Sequence, residues 1–532
     1  MIHVRIFSFW QRYFPGRKGI LTLALSAVLI VSCSEESTRI DITYQDDQLR
    51  FIQCPLGGIG TGNILMNGYG AISELEIFGH PAVDGIPPEQ TFFSLWTKPF
   101  GGVAEAHILE GEFLDEYPDP FGKPPQQLGG IPRFRRAAMT NAYPVVRYEL
   151  SDEEVPLTAR LIAWSPYIPV DEWNSGIPAA ILEWTLENPT KDTVEYSIAF
   201  CMANPFSTKA GHQVQGCHTL PYSMGDHRGM YFSSPEGDSL ESGAGEMVVM
   251  TPVRASLSIP FGRKGRHSNA QDFWYDFSVD GTLEILSDTA RNTLDWSDTG
   301  ALYSHGILVP GEEVTVPFIV CWHVPFREYE SGMAKGRIAD GGIKIKNHYA
   351  TEFHDVQDVT DHVSAHIRSL RDKTFTFSDV MINSSVPKDV LDAAISNLSS
   401  LKTNLLMRDE RGRIRGYIGL DNDAGCCPGL CQPAWNYAQS MAAVFPSLER
   451  NAVNECFTGT FQQDPMPREG IILRVYREWK MSGDNAWLGM MWQKVRNALP
   501  GKPEEAPGSR GTLYLGALKA YAEMAMVMNA PQ

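Results

Sequence analysis

The spacing of apolar residues changes once along this chain, and that change limits the folds open to it. From about Ile40 to His323, apolar and polar residues alternate in short runs such as VVRYEL (Val145–Leu150), AILEWTL (Ala180–Leu186) and VTVPFIV (Val314–Val320), set between Gly, Pro, Asn and Asp clusters. A two-residue period puts alternate side chains on opposite faces of a strand, so this block predicts a large antiparallel sandwich. After Lys346 the period lengthens. His348 to Leu370 repeats its apolar residues at helical intervals, and Val390, Leu391, Ala394, Ile395, Leu398 and Leu401 share one stripe of a helix predicted over Val386–Leu405. Trp479, Trp487 and Trp492 interrupt a further helical pattern, Tyr476 to Leu499. Packing in a core and stacking on a sugar both suit tryptophans so placed.

With 532 residues, 43% of them hydrophobic, the chain exceeds what one core needs, and two domains are expected. Asp and Glu number 63 against 45 Lys and Arg, a formal charge of -18. No basic block after the N-terminus could follow a phosphate backbone, which excludes nucleic acid as an expected partner.

The first 33 residues read as an address. Arg5, Arg12, Arg17 and Lys18 precede the apolar run Ile20–Val31, which is short for a membrane span. The run closes with Ile30, Val31, Ser32 and Cys33 and resembles a bacterial lipoprotein box. A lipidated Cys33 would tether an exported body to a lipid bilayer, on the periplasmic or surface face; a signal peptide cleaved nearby is the other reading. Cys54, Cys201, Cys217, Cys321, Cys426, Cys427, Cys431 and Cys456 would then sit where disulfides form, with pairings that spacing does not reveal. Cys426, Cys427 and Cys431 lack the nearby histidine that would complete a tetrahedral site, so no metal is expected. The glycine-rich PLGGIGTGNI (Pro55–Ile64) is followed by a hairpin pattern rather than a βαβ unit, so no dinucleotide, and no other cofactor, is expected.

Two strings carry more specific information: GCCPGLCQPAWNYAQ (Gly425–Gln439) and ILRVYREWKMSGDNAWL (Ile472–Leu488). Together with GGIPRFRRA (Gly129–Ala137), AYPVVRYEL (Ala142–Leu150) and SGIPAAILEWTLEN (Ser175–Asn188), they make the chain resemble glycoside hydrolase family 116, which includes the bile-acid β-glucosidase or non-lysosomal glucosylceramidase. The resemblance implies an α+β multidomain fold. An N-terminal antiparallel β-sandwich over residues 40–345 would be followed by a partial α/α barrel over residues 346–532, behind a lipoprotein signal peptide at 1–33. It also implies retaining hydrolysis of a β-glucoside or related glycan.

Retaining glycosidases need two carboxyl groups about 5–5.5 Å apart, one to attack and one to protonate the leaving oxygen. The family's nucleophilic Glu corresponds here to Ile418 in Tyr417-Ile418-Gly419, and the family's Asn-Thr-Tyr-Asp-like acid/base segment is replaced by PGKPEEAPGSR (Pro500–Arg510). The helices that would complete the family's barrel are also fewer. Impaired catalysis is therefore expected, with non-catalytic glycan binding or scaffolding on a cell surface as the alternative. Asp421 and Asp423 are the carboxylates nearest the nucleophile position, and Trp435, Asn436 and Tyr437 match the family's motif near the sugar.

Overall fold

The computed structural model describes residues 42–80, 91–112, 130–209, 212–214, 216–235, 241–263, 269–283, 296–329, 343–420, 425–431, 433–458, 468–499 and 509–529. Two sheets dominate its N-terminal part. The larger has nine strands in the spatial order Thr43–Gln45, Arg136–Ala142, Val145–Ser151, Thr158–Trp164, Ala179–Glu187, Glu313–His323, Glu246–Thr251, His227–Ser233 and His218–Met224, every pair antiparallel. The smaller runs Ser256–Arg263, Trp296–Leu308, Val194–Ala203, Phe92–Pro99, Glu105–Gly111 and Arg133–Phe134. Between them the alternating side chains of both inner faces interlock. Phe93 stacks on Phe200 with ring centres 4.2 Å apart and meets Trp184 and Phe318 from the opposite sheet at 5.7 and 5.1 Å.

The large sheet is covered on its other face as well. Among the described residues the α-helices are, in chain order, α1 (Asn269–Asp280), α2 (Tyr349–Glu352), α3 (Val356–Ile382), α4 (Lys388–Leu398), α5 (Pro433–Tyr437), α6 (Ser440–Val444), α7 (Pro446–Thr458), α8 (Arg468–Ser482), α9 (Asn485–Ala498) and α10 (Ser509–Val527). Val359, Val363 and Leu370 of α3 pack on Ile181, Ile319, Val248 and Trp164, the outward set of the central strands. Burial on both faces is why Ala179–Leu182 is apolar at every position. Asp355 starts α3 by accepting from the Asp358 amide at 2.9 Å. On the far side, Phe273 and Phe277 of α1 cover Phe92 and Ile108 of the smaller sheet.

The observed order, an antiparallel sheet-rich region and then helices, is the α+β class that the change of period implies. Local boundaries differ. The helix predicted over Val386–Leu405 ends as α4 at Leu398, because Ser399, Ser400 and Thr403 each turn a hydroxyl back onto a carbonyl three residues earlier, at 2.6–2.8 Å, and the chain tightens into a 3₁₀ turn. Of the predicted stripe, Val390 faces solvent while Leu391, Ile395, Leu398 and Leu401 are buried. The Tyr476–Leu499 pattern is two helices. Gly483, at φ 67, ends α8, and Asp484 caps α9 by accepting from the Trp487 amide at 2.9 Å.

Tyr167 joins the two parts. Its ring lies parallel to Phe377 of α3 at 5.8 Å and edge-on to Phe445 at 5.3 Å, and its hydroxyl donates to the Leu398 carbonyl at 3.4 Å. One apolar cluster therefore runs from Leu182 and Phe318 in the sandwich to Leu430, Trp435 and Leu448 among the helices.

Candidate active site

A three-stranded sheet, Leu406–Arg408, Ile414–Leu420 and Gly425–Pro428, carries the residues that the sequence singles out. Alternation along Ile414–Leu420 buries Tyr417 completely and turns Ile418 outward, 38% exposed. The exposed position, which the sequence resemblance matches to the family's nucleophile, thus carries a hydrocarbon. Gly419 pairs with Cys426 and Tyr417 with Pro428, so the Gly-Cys-Cys-Pro segment is held beside it. A disulfide from Cys431 to Cys456, Cα atoms 5.4 Å apart, fastens this segment to α7.

Asp421 and Asp423 lie outside the described residues, as does Cys33. Trp435 is 7% exposed, and its indole donates to the Tyr417 carbonyl at 2.9 Å, so the ring braces the strand. Asn436 rests against Gly470 of α8; a β-carbon there would come within 1.9 Å of its Nδ2. Its buried amide oxygen and nitrogen have no partner among the described residues. Tyr437 ends α5; the backbone of that helix alone is described at this position. Trp479 and Trp487 are core residues, and Trp492 stacks on Tyr521 at 5.0 Å.

The Tyr-Arg-Glu triplet has a role that its spacing did not disclose. Tyr476 donates to Glu523 at 2.5 Å, tying α8 to α10. Arg477 binds Glu449 at 2.6 Å and the Gln439 side chain at 2.7 Å. Glu478 accepts from Arg450 at 2.6 Å, and Arg450 reaches on to Asp484 at 3.1 Å. One turn earlier, Arg474 clasps Glu449 with two nitrogens, at 2.8 and 3.0 Å, and donates to the Leu430 carbonyl at 2.6 Å. This network locates the loop before Cys431. Burial raises the pKa of the Glu478 carboxyl, opposed by Arg450 and reinforced by the charge of Glu449. A raised carboxyl is what a general acid needs. Here, however, both carboxylates are held by guanidinium groups between helices, a structural use of the charge.

The N-terminal motifs meet at the junction between sandwich and helices. Gly57–Gly62 is a close backbone crossing: a β-carbon on Gly58 would lie 2.6 Å from the Gly176 carbonyl carbon, and one on Gly62, at φ 82, would lie 2.4 Å from the Glu76 oxygen. Ile59 donates to the Ser175 carbonyl at 2.8 Å, and the buried Arg327 donates to the Gly60 carbonyl at 2.8 Å. The glycines serve chain-to-chain contact, and the chain beyond them forms the antiparallel hairpin Asn63–Asn67 and Ile72–Leu75.

Comparison with known proteins follows this geometry. The sequence model described as beta-glucosidase 2, glycosyl-hydrolase family 116 N-term, matches residues 53–370, from the strand Gln53–Gly57 to the middle of α3. A match over more than half of the chain marks a glycoside hydrolase-like protein. The chain belongs to glycosyl-hydrolase family 116. Among solved structures, a candidate kojibiose phosphorylase from the human microbiome aligns at TM-score 0.39 and 9% identity, over 93% of this chain and 66% of that one, so this chain spans just under two thirds of its length. A polysaccharide lyase aligns at 0.24 and 10% identity, over 92% of this chain and 73% of that one. At these scores neither likeness carries an argument.

Proposed function

We propose that this protein is an exported, lipid-anchored relative of β-glucosidases that engages a β-glucoside or similar glycan while its hydrolytic step is impaired. The observation that carries the reading is Ile418, turned to solvent at the position where the family's nucleophilic carboxylate corresponds. An isoleucine has no lone pair to offer an anomeric carbon, and retaining hydrolysis needs two carboxyl groups at a fixed spacing. Anchoring rests on the sequence alone, on the run that closes at Cys33. A second reading, a non-catalytic surface glycan-binding or scaffolding protein, is favoured by Glu449 and Glu478, whose carboxylates are committed to arginines.

The deciding assay is hydrolysis of 4-nitrophenyl β-glucoside by the full chain. Impairment predicts a rate at least a thousandfold below that of a relative carrying both carboxylates, a loss on the order of 4 kcal/mol in transition-state stabilisation. Turnover within tenfold of such a relative would overturn it. Metabolic labelling with a fatty acid, compared with a C33A variant, tests the anchor.

A further inference from the structure

At the junction, the loop before the strand Ala179–Glu187 presents Trp173, 41% exposed, beside a cavity of about 20 Å³. Gly60, Gly176, Trp173, His348, Glu352 and Arg408 line it. That volume admits one water or one hydroxyl group. Two of the residues that line it carry polar atoms buried without a partner among the described residues: Arg408 Nε, on a residue 8% exposed, and His348 Nδ1. Buried groups of this kind cost free energy unless something hydrogen-bonds to them, and a water or a ligand hydroxyl in the cavity would supply that partner. The two glycines keep it open. A β-carbon on Gly176 would stand 3.8 Å from Arg408 Nη1, and one on Gly60 3.3 Å from Arg408 Cγ.

The surrounding charges say what kind of guest fits. Trp173 Nε1 donates to Glu352 at 3.3 Å, and Glu172 lies 4.0 Å from Arg408 Nη2 while accepting from Ser447 at 2.8 Å. Two carboxylates beside one guanidinium repel an anion. They suit a neutral molecule whose hydroxyls both donate and accept. Phe353 and His362 contact the indole with ring centres at 5.8 and 4.7 Å, one tilted and one edge-on, which restrains its orientation. A restrained aromatic plane flanked by charged hydrogen-bonding groups matches a pyranose, apolar on one face and hydroxylated at its rim.

We propose that this cleft is a glycan subsite distinct from the Tyr417–Tyr437 loop: the sugar ring stacks on Trp173 and one of its hydroxyls enters the cavity to meet Arg408 and His348. The subsite rests on the reading of this chain as a glycan-engaging protein. Titration calorimetry of the full chain with methyl β-glucoside and cellobiose, on the unmodified protein, W173A and G176A, tests it. W173A removes the platform; G176A adds a methyl at ordinary contact distance and fills the cavity. The expected result is binding weakened about tenfold or more in each variant, a change of about 1.4 kcal/mol, with thermal midpoints unchanged. Binding by the unmodified protein that both variants retain in full would overturn the subsite and leave the glycan reading standing. Absence of binding to either sugar by the unmodified protein would overturn both.

Discussion

Arg474 and Glu449 form a two-pronged ion pair with both side chains 1% exposed, and the third guanidinium nitrogen of Arg474 holds the Leu430 carbonyl. Glu449 is shared with Arg477 at 2.6 Å. E449Q leaves the buried Arg474 guanidinium without a counter-charge and is expected to cost about 3–5 kcal/mol in urea titration, whereas R474M leaves Glu449 paired with Arg477 and should cost less. The double variant should lose less than the sum of the two; strict additivity would show that the pair is not coupled.

Lys402 gives a pH dependence of known sign. Its ammonium is fully buried, with Ser165 Oγ at 2.8 Å and the Pro166 carbonyl at 2.6 Å as neutral partners, and burial pushes its pKa well below the ordinary lysine value. The unfolded chain then binds the extra proton at any pH between that depressed value and about 10.4. This contribution is fully present above the unfolded pKa and is lost as pH falls through the folded one, so it makes stability rise with pH across that window. K402M should flatten this slope in unfolding free energies measured from pH 7 to 10; an unchanged slope would assign it to other groups.

The disulfide Cys431–Cys456 closes a span of 25 residues around the site loop. By loop-closure entropy it contributes about 3 kcal/mol. Reduction with dithiothreitol should lower the thermal midpoint of the natural chain and leave that of a C431A/C456A variant unmoved. A mass increase of two hydrogens on reduction would confirm the bond in the purified protein.

Gly62 adopts φ 82 with the Glu76 carbonyl 2.4 Å from where a β-carbon would sit. G62A is expected to cost more than about 1 kcal/mol from conformation alone, with the collision added. Gly130, also at positive φ (83) but with no described atom within 4 Å of a β-carbon there, should bear alanine with a smaller loss, and chemical denaturation of the two variants compares them directly.

Ile418 allows a chemical test of the proposed impairment. I418E supplies a carboxylate but no proton donor. A 2,4-dinitrophenyl leaving group departs without protonation, so the variant should turn over 2,4-dinitrophenyl β-glucoside faster than the natural chain while remaining slow on the methyl glucoside. Equal rates on the activated substrate would place the nucleophile elsewhere.

The sequence discloses those features that depend on local periodicity. Alternation marks the strands, and the longer period after Lys346 marks α3 and α4, because burial of one face imposes the pattern directly. The hairpin after the glycine loop is legible for the same reason: Asn67 and Gly70 turn the chain between Asn63–Asn67 and Ile72–Leu75. What depends on pairing across long distances is not. Arg450 with Glu478 leaves no local signature, since an arginine on a helix reads as a solvated face, and Arg408 with Glu172 leaves none because the two lie far apart in the chain. Trp435 belongs to the same class: no local pattern discloses that its indole donates to the Tyr417 carbonyl.

Tyr167 carries a last implication. Because Phe377, Phe445 and Leu398 all converge on this one ring, the sandwich has no finished surface of its own on that side, and the helices act as its wall. The helices could not be removed without exposing that interior to water. Inheritance of the helical half is thus secured by masonry, whatever becomes of its chemistry.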